Sequence, residues 1–269
     1  MADSSPTSMA DRFGLDGRVA IVTGAGRGIG AACAVALAQM GADVVISARS
    51  VDQLAGVVTT VEDLGRRAVA VPADLSDLDA IPALAESASE AFGRIDIVVN
   101  NVGGTAPRPF MDTSVGYMAR AFSFNVLTAH ALTKAAVPTM LAGDGGSIVN
   151  ISSAMGRLAG RGYAAYGTAK GALSHWTELA ATDLAPRIRV NGIEVGSIDT
   201  SALEFVTADE AMSAEMAEGT LLGRIGDPAD IAAAVVWLAS PAAAYVTGKL
   251  IAVDGGLQRP NLDLRFPDL

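Results

Sequence analysis

The chain has little of several things. In 269 residues it carries one cysteine, two histidines and three lysines, and aromatic side chains make up only 5%. A lone thiol, Cys33, excludes an internal disulfide. Its place in an apolar, helix-like run reads as a buried structural thiol of a protein kept in a reducing compartment. His130 and His175 fall in helix-like runs without metal-ligand spacing, so both read as core or interface packing residues and no metal site is expected. Positive charge is also short. A formal net charge of −10 disfavours nucleic acid and anionic membrane as main partners, since both demand a basic face. No apolar run approaches the ~18 residues of a membrane span. Residues 1–13 have neither the basic nor the apolar region of a secretory leader. These absences point to a soluble, cytoplasmic protein.

What the chain does have is small aliphatic bulk. Apolar residues make up 51%, mostly Ala, Val, Leu and Ile, and the length suits one large α/β domain. Val/Ile-rich runs predict strands at Val19–Thr23, Asp43–Ser47, Ala68–Pro72, Ile95–Asn100, Gly146–Ile151, Arg189–Ile193 and Lys249–Val253. Helices are predicted between them over Ile29–Gln39, Val51–Leu64, Ala80–Ala91, Val115–Leu141, Ala164–Leu184 and Asp227–Leu238. This alternation argues for a parallel sheet covered by helices on both faces. One interval breaks it. Ser197–Leu222 is long, Met-rich and apolar, and insertions of that size are usually lids or binding loops.

Two local patterns carry chemistry. Tyr166 and Lys170 lie four apart in a predicted helix, which puts a phenol and an ammonium on one face. A positive charge nearby lowers the phenol's pKa from its ordinary ~10 and equips it as an acid/base. Ser153 stands thirteen residues before Tyr166, and Ser152 and Tyr163 are the rival hydroxyls. The second pattern is Thr23-Gly24-Ala25-Gly26-Arg27-Gly28-Ile29-Gly30, running from the first strand into a helix. Glycines at such a turn let the backbone approach a pyrophosphate seated on the helix N-terminus.

Taken with Asn100-Asn101-Val102-Gly103, Asn125, Val246-Thr247-Gly248 and Val253-Asp254-Gly255-Gly256, these patterns resemble, in order, the classical short-chain dehydrogenase/reductase family. The likeness runs from about Leu15 to Gly256. It implies a single Rossmann-type α/β domain, doubly wound, with a seven-stranded parallel sheet over residues 15–256, a flexible tail at 1–14 and another tail at 257–269. It also implies the roles. Tyr166 is the acid/base, and Lys170 holds the ribose and tunes the tyrosine. Ser153 binds the substrate oxygen, and Asn125 supports a water chain from Lys170. The implied cofactor contacts are Gly24, Arg27, Gly28, Ile29, Gly30, Arg49, Asp74, Leu75, Asn100, Gly196, Ile198 and Thr200, with Tyr166 and Lys170. Two residues depart from the family pattern. Val102 replaces an alanine and Val195 a proline, and neither change removes a chemical group.

The family reads the ribose 2′ position at the end of the second strand. There this chain has Ala48 and Arg49 rather than an acid, with Arg27 in the glycine loop and Asp43 at the wrong end of the strand. Two guanidiniums and no carboxylate favour NADP(H), with NAD(H) possible. Asp74 alternatively caps its own turn. The segments Asn100–Phe110 and Val190–Gly256 resemble the 7α-hydroxysteroid dehydrogenases of bacteria. The expected pocket walls are Pro107, Pro109, Phe110, Met155, Leu158, Leu203, Phe205, Val206, Met212 and Met216. The expected reaction interconverts a secondary alcohol and a ketone on a bulky apolar, steroid-like or alicyclic molecule. Alternatives are a 3-oxoacyl thioester reductase, with Arg108, Arg157 or Arg161 meeting carrier phosphates, and a non-catalytic dinucleotide-binding sensor or scaffold. The resemblance further implies a homotetramer built through the long helices and the last strand.

Overall fold

The strand Val19–Thr23 (β1) is apolar at its first four positions because it is buried from both sides. Val19 and Ile21 fall in one hydrophobic core, Ala20 and Val22 in the other, as the two-residue period of a strand requires. The computed structural model describes residues 8–262 together with 264, 266 and 268. After β1 come the helix Gly28–Gln39 (α1), β2 (Asp43–Ala48), α2 (Val51–Asp63), β3 (Ala68–Pro72), α3 (Pro82–Phe92) and β4 (Ile97–Asn100). The second half holds α4 (Val115–Phe122), α5 (Thr128–Ala142), β5 (Gly146–Ser153), α6 (Ala164–Leu184) and β6 (Ile188–Val195). It closes with α7 (Glu204–Thr207), α8 (Glu210–Glu218), α9 (Pro228–Ala239) and β7 (Leu250–Val253).

The strands form one parallel sheet in the order β3-β2-β1-β4-β5-β6-β7. This is the doubly wound Rossmann-type arrangement. Chain order reverses between β1 and β4, and that crevice at the carboxyl ends of the strands is where such sheets bind ligands. Residues of α1, α2 and α9, including Cys33, Leu54 and Ile231, fill the core on one face. Those of α3, α5 and α6, including Leu84, Leu132 and Ala180, fill the other. Burial pushes the Cys33 thiol up to about 12, which suits an inert structural role.

Three expectations change. The predicted helix Val115–Leu141 is two helices joined by a π-helical turn, Ser123–Leu127. Strand β5 runs on to Ser153, because Ser152 and Ser153 pair with Glu194 and Val195 of β6. The histidines are not core residues. His130 is exposed and meets the edge of Trp176, while His175 is exposed and bonded to Glu178. Asp43, at the start of β2, receives the Arg67 backbone N–H and guanidinium, so it belongs to the scaffold. Residues 11–13 form a 3-10 turn whose Phe13 packs on the core. Residues 1–7 lie outside the described part.

Candidate active site

A cleft of about 1260 Å³ opens over the switch point. One end is built by the glycine turn. A Cβ on Gly30 would stand 2.3 Å from the Gly24 carbonyl oxygen, so only glycine lets α1 begin this close to β1. The first turn of α1 has no side-chain cap, which leaves its backbone N–H groups for an anion. Asn101 closes the turn, donating from its amide nitrogen to the Thr23 carbonyl at 2.9 Å. Gly24, Arg27, Gly28, Ile29, Gly30, Ala48, Arg49, Gln53, Asp74 and Leu75 line this end. Asp74 accepts from the Ser76 N–H at 3.0 Å and from its hydroxyl at 2.8 Å. Those bonds, with Arg49 nearby, hold its carboxyl below the ordinary value, so it does cap its own turn. The cradle fits a dinucleotide pyrophosphate, and the end of β2 presents guanidinium rather than carboxylate.

Across the cleft, Ser153 ends β5, while Tyr166 and Lys170 sit in the first and second turns of α6. All three line the cleft, and the Ser153 hydroxyl hydrogen-bonds the Tyr166 phenol. Ser152 is spoken for, since its hydroxyl donates to the Lys170 carbonyl oxygen at 3.1 Å and shares a 2.8 Å bond with Ser174. Tyr163 lines the pocket with its ring 6.4 Å from that of Tyr166. Lys170 is buried and donates to the Ile151 carbonyl oxygen at 2.8 Å, and burial lowers its pKa to about 8. The Tyr166 phenol corrects an expectation. Burial raises its pKa, and what opposes the rise is a hydrogen bond with Ser153 rather than the Lys170 ammonium. The ammonium is 5.9 Å from the centre of the ring.

Asn125 is fully buried in the π turn, where its Oδ1 accepts from the Gly104 N–H at 2.9 Å and its Nδ2 donates to the Ala121 carbonyl at 2.8 Å. Single π turns in helices are frequent at functional sites. Here the extra residue aims Asn125 at the loop after β4. A Cβ on Gly103 would stand 2.7 Å from both Asn125 Oδ1 and Lys170 Nζ, so both groups converge on that glycine. Asn100 corrects another expectation. It is buried and is not among the cleft residues. Its amide donates to Asn150 Oδ1 at 2.8 Å, and Asn150 donates to Thr177, tying β4, β5 and α6 together. The side chain of Asn101, one residue on, turns toward the cleft instead.

Gly196, Ile198 and Thr200 line the cleft as expected, and the Thr200 methyl would lie 3.3 Å from a Cβ on Gly28. The Ser197–Leu222 segment starts with the Asp199 N–H bonded to the Gly226 carbonyl and contributes Leu203 and Met216. Of the other anticipated walls, Pro107 and Met155 line the cleft, whereas Pro109, Phe110, Leu158, Val206 and Met212 do not. Phe110 is 72% exposed, and Val206, on α7 within Ser197–Leu222, is buried. The side chain of Phe205 lies outside the described part.

Sequence reasoning missed the far wall. Leu257, Pro260, Asn261 and Leu262 lie along the cleft, and nothing in the composition after Gly256 marks them. Asn261 accepts from the Ser197 hydroxyl at 2.9 Å and donates to the Met216 carbonyl at 2.8 Å, which ties the start of the Ser197–Leu222 segment to α8. Arg157 bonds Glu194 and Asp254, and Arg161 bonds Asp268 and the Phe266 carbonyl. Both guanidiniums are therefore engaged within the chain, which takes them from the carrier-phosphate alternative.

Comparisons with known proteins agree with this geometry. A family profile described as Enoyl-(Acyl carrier protein) reductase matches residues 24–258. An uncharacterized oxidoreductase of Mycobacterium tuberculosis is 58% identical over 260 residues, covering 96% of this chain and 99% of that protein. A 7α-hydroxysteroid dehydrogenase solved with NADH and 7-oxo glycochenodeoxycholic acid is 38% identical. It superposes with a TM-score of 0.89 over 94% of this chain and 99% of its own. A gluconate 5-dehydrogenase from Burkholderia cenocepacia solved with NADP and tartrate is 32% identical, with a TM-score of 0.86 over 93% and 98%. Solved relatives thus hold either dinucleotide. The chain belongs to the short-chain dehydrogenase/reductase family of oxidoreductases.

Proposed function

We propose that the protein is an NADP(H)-preferring oxidoreductase that interconverts a secondary alcohol and a ketone on a bulky, mainly alicyclic molecule. The observation that carries this reading is the placement of Ser153, Tyr166 and Lys170 on one wall of the cleft that begins at the glycine cradle. The dinucleotide supplies or accepts the hydride. Tyr166 exchanges the proton with the substrate oxygen, and Ser153 holds that oxygen by hydrogen bonding. Lys170 binds the ribose hydroxyls and, through Asn125 and water, passes the proton toward solvent. Gly24, Gly28, Ile29 and Gly30 take the pyrophosphate. Arg27 and Arg49 take the 2′-phosphate. Leu75, Gly196, Ile198 and Thr200 complete the cofactor's contacts.

Substrate bulk follows from the walls. Met155, Leu203, Met216, Leu257 and Leu262 are all apolar, and the two unbranched methionines adapt their shape, which suits a broad apolar ring system. A sensor or scaffold has no need of all four of Asn125, Ser153, Tyr166 and Lys170. The long helices and the last strand, whose neighbourhood exposes Val115, Met118, Phe122, Leu179 and Tyr245, form the interfaces of a homotetramer in this reading. We place the protein in the cytoplasm. A cofactor-consumption screen with NADPH, NADH and their oxidised forms over steroid, alicyclic, acyl-thioester and sugar substrates tests it. Turnover of acyl thioesters alone would overturn the alicyclic reading, and no turnover of any class would overturn the enzymatic one.

A further inference from the structure

The charged side chains that line the cleft are Arg27, Arg49, Asp74, Arg120 and Lys170. The first three stand at the cofactor end, and Lys170 is buried on the Ile151 carbonyl. Arg120 has no assignment. It sits on α4 one turn after Tyr117, and its guanidinium carbon lies 5.8 Å from the centre of the Tyr117 ring. Arg108, from the loop after β4, lies over the same ring at 4.0 Å. That ring is a fixed platform. Its hydroxyl donates to the Ala106 carbonyl at 2.7 Å, and it packs on Ala121, Ala165 and Ala169. Ala165 is the residue before Tyr166.

Neither guanidinium has a carboxylate partner among the described residues, although the chain holds 29 acidic residues against 19 basic ones. Arg157 and Arg161, on the neighbouring loop, are both paired with carboxylates. Both side chains are exposed, and their charges sum to a local positive field that attracts an anion. The edge of a guanidinium is the fork that binds a carboxylate bidentately.

We infer that Arg120 forms a carboxylate subsite in this cleft, with Arg108 adding to the positive field around Tyr117, and that the substrate is a hydroxy or oxo acid. This rests on the oxidoreductase reading and narrows its substrate class. Arg120 reaches the cleft from α4, which packs directly on the helix that carries Tyr166. The acid group and the reacting oxygen are thus held by different helices, which suits an acid whose carboxylate and hydroxyl lie on separate parts of the molecule.

The test compares a set of hydroxylated alicyclic carboxylic acids with their methyl esters. For the wild-type protein kcat/KM for the acid should exceed that for the ester by about tenfold or more, carried by KM and weakened by salt. In Arg120→Gln the acid-to-ester ratio should fall toward one, and Arg120→Lys should keep part of it. A merely structural role for Arg120 would lower acid and ester alike and leave the ratio unchanged. That result, or equal use of both by the wild type, overturns the subsite. Calorimetric titration of the same acids into Tyr166→Phe protein reads the subsite without turnover. Binding that is lost in the Arg120→Gln double variant supports the subsite even if no acid is oxidised, in which case the oxidoreductase reading alone fails. No binding of any acid sinks the subsite.

Discussion

Lys170 donates to the carbonyl oxygen of Ile151 at 2.8 Å while its nitrogen stands 5.9 Å from the centre of the Tyr166 ring. The two side chains share a helix face, as their i, i+4 spacing dictates, yet the ammonium is anchored to strand β5 rather than to the phenol. Lys170 is buried and Tyr166 half-buried, and desolvation moves both toward their neutral forms, the phenol upward and the ammonium downward to about 8. A phenol in this setting stays protonated at neutral pH, which is the form that ketone reduction requires. As a base for alcohol oxidation it needs further positive charge, which the oxidised nicotinamide supplies when bound.

Replacing the phenol hydroxyl tests that role most directly. Tyr166→Phe keeps the ring's volume and removes the transferable proton, so turnover should fall by at least ~100-fold. Cofactor affinity should change little. Wild-type-like turnover would remove Tyr166 from the chemistry and point to Tyr163, its neighbour in the cleft.

Burial of Lys170 makes stability depend on pH. The folded protein releases this proton near pH 8, the unfolded chain near 10.5. Below pH 8 the folded state bears the full cost of a buried ammonium. Between the two values the unfolded chain holds more protons, so this group's contribution rises with pH. Urea midpoints measured from pH 7 to 10 should therefore show the wild type gaining on Lys170→Met as pH increases, by up to a few kcal/mol. Parallel curves for the two proteins would show that the lysine titrates alike folded and unfolded.

Cofactor choice should follow the β2 terminus. NADPH is expected to bind more tightly than NADH, and Arg49→Asp should flatten or reverse that order by placing a carboxylate near the 2′-phosphate. Equal or tighter NADH binding by the unmutated protein would show that Arg27 and Arg49 do not read the phosphate.

We propose that Ser197–Leu222 is a lid whose behaviour depends on Asn261, which bonds both Ser197 and the Met216 carbonyl. We expect Ser197–Leu222 to exchange its amide hydrogens quickly without ligands and to become protected in the ternary complex. Asn261→Ala should speed exchange in α8 and raise KM more than it lowers kcat. Slow exchange that ligands leave unchanged would mean the segment is a fixed wall.

Light scattering at micromolar concentration should give the mass of a tetramer. The Ala-rich faces of α5 and α6 permit close helix approach, and closed two-fold assemblies are the common solution for such surfaces. A monomer mass would contradict it.

Much of this molecule was legible in local pattern. The ranges Val19–Thr23, Ala68–Pro72 and Ala164–Leu184 match their elements end to end, because strand and helix periods impress themselves on an aliphatic chain buried on known faces. The glycine turn, Ser153 and the Tyr166/Lys170 pair were equally legible, since each is a short-range spacing that backbone geometry turns directly into position. Asn100 and Asn101 were not distinguishable in this way. Two adjacent residues at a strand end point to opposite sides, and only the packing of β5 and α6 decides which side is core. The π turn at Asn125 was hidden because one extra residue in a helix leaves no mark on composition. It is held by bonds to Gly104 and Thr105, twenty residues away. The direction of the Tyr166 shift, the engagement of Arg157 and Arg161, and the wall formed by Pro260–Leu262 likewise belong to the tertiary structure. Each depends on which distant groups exclude water or supply a partner, and the chain's order along its length does not contain that information in local form.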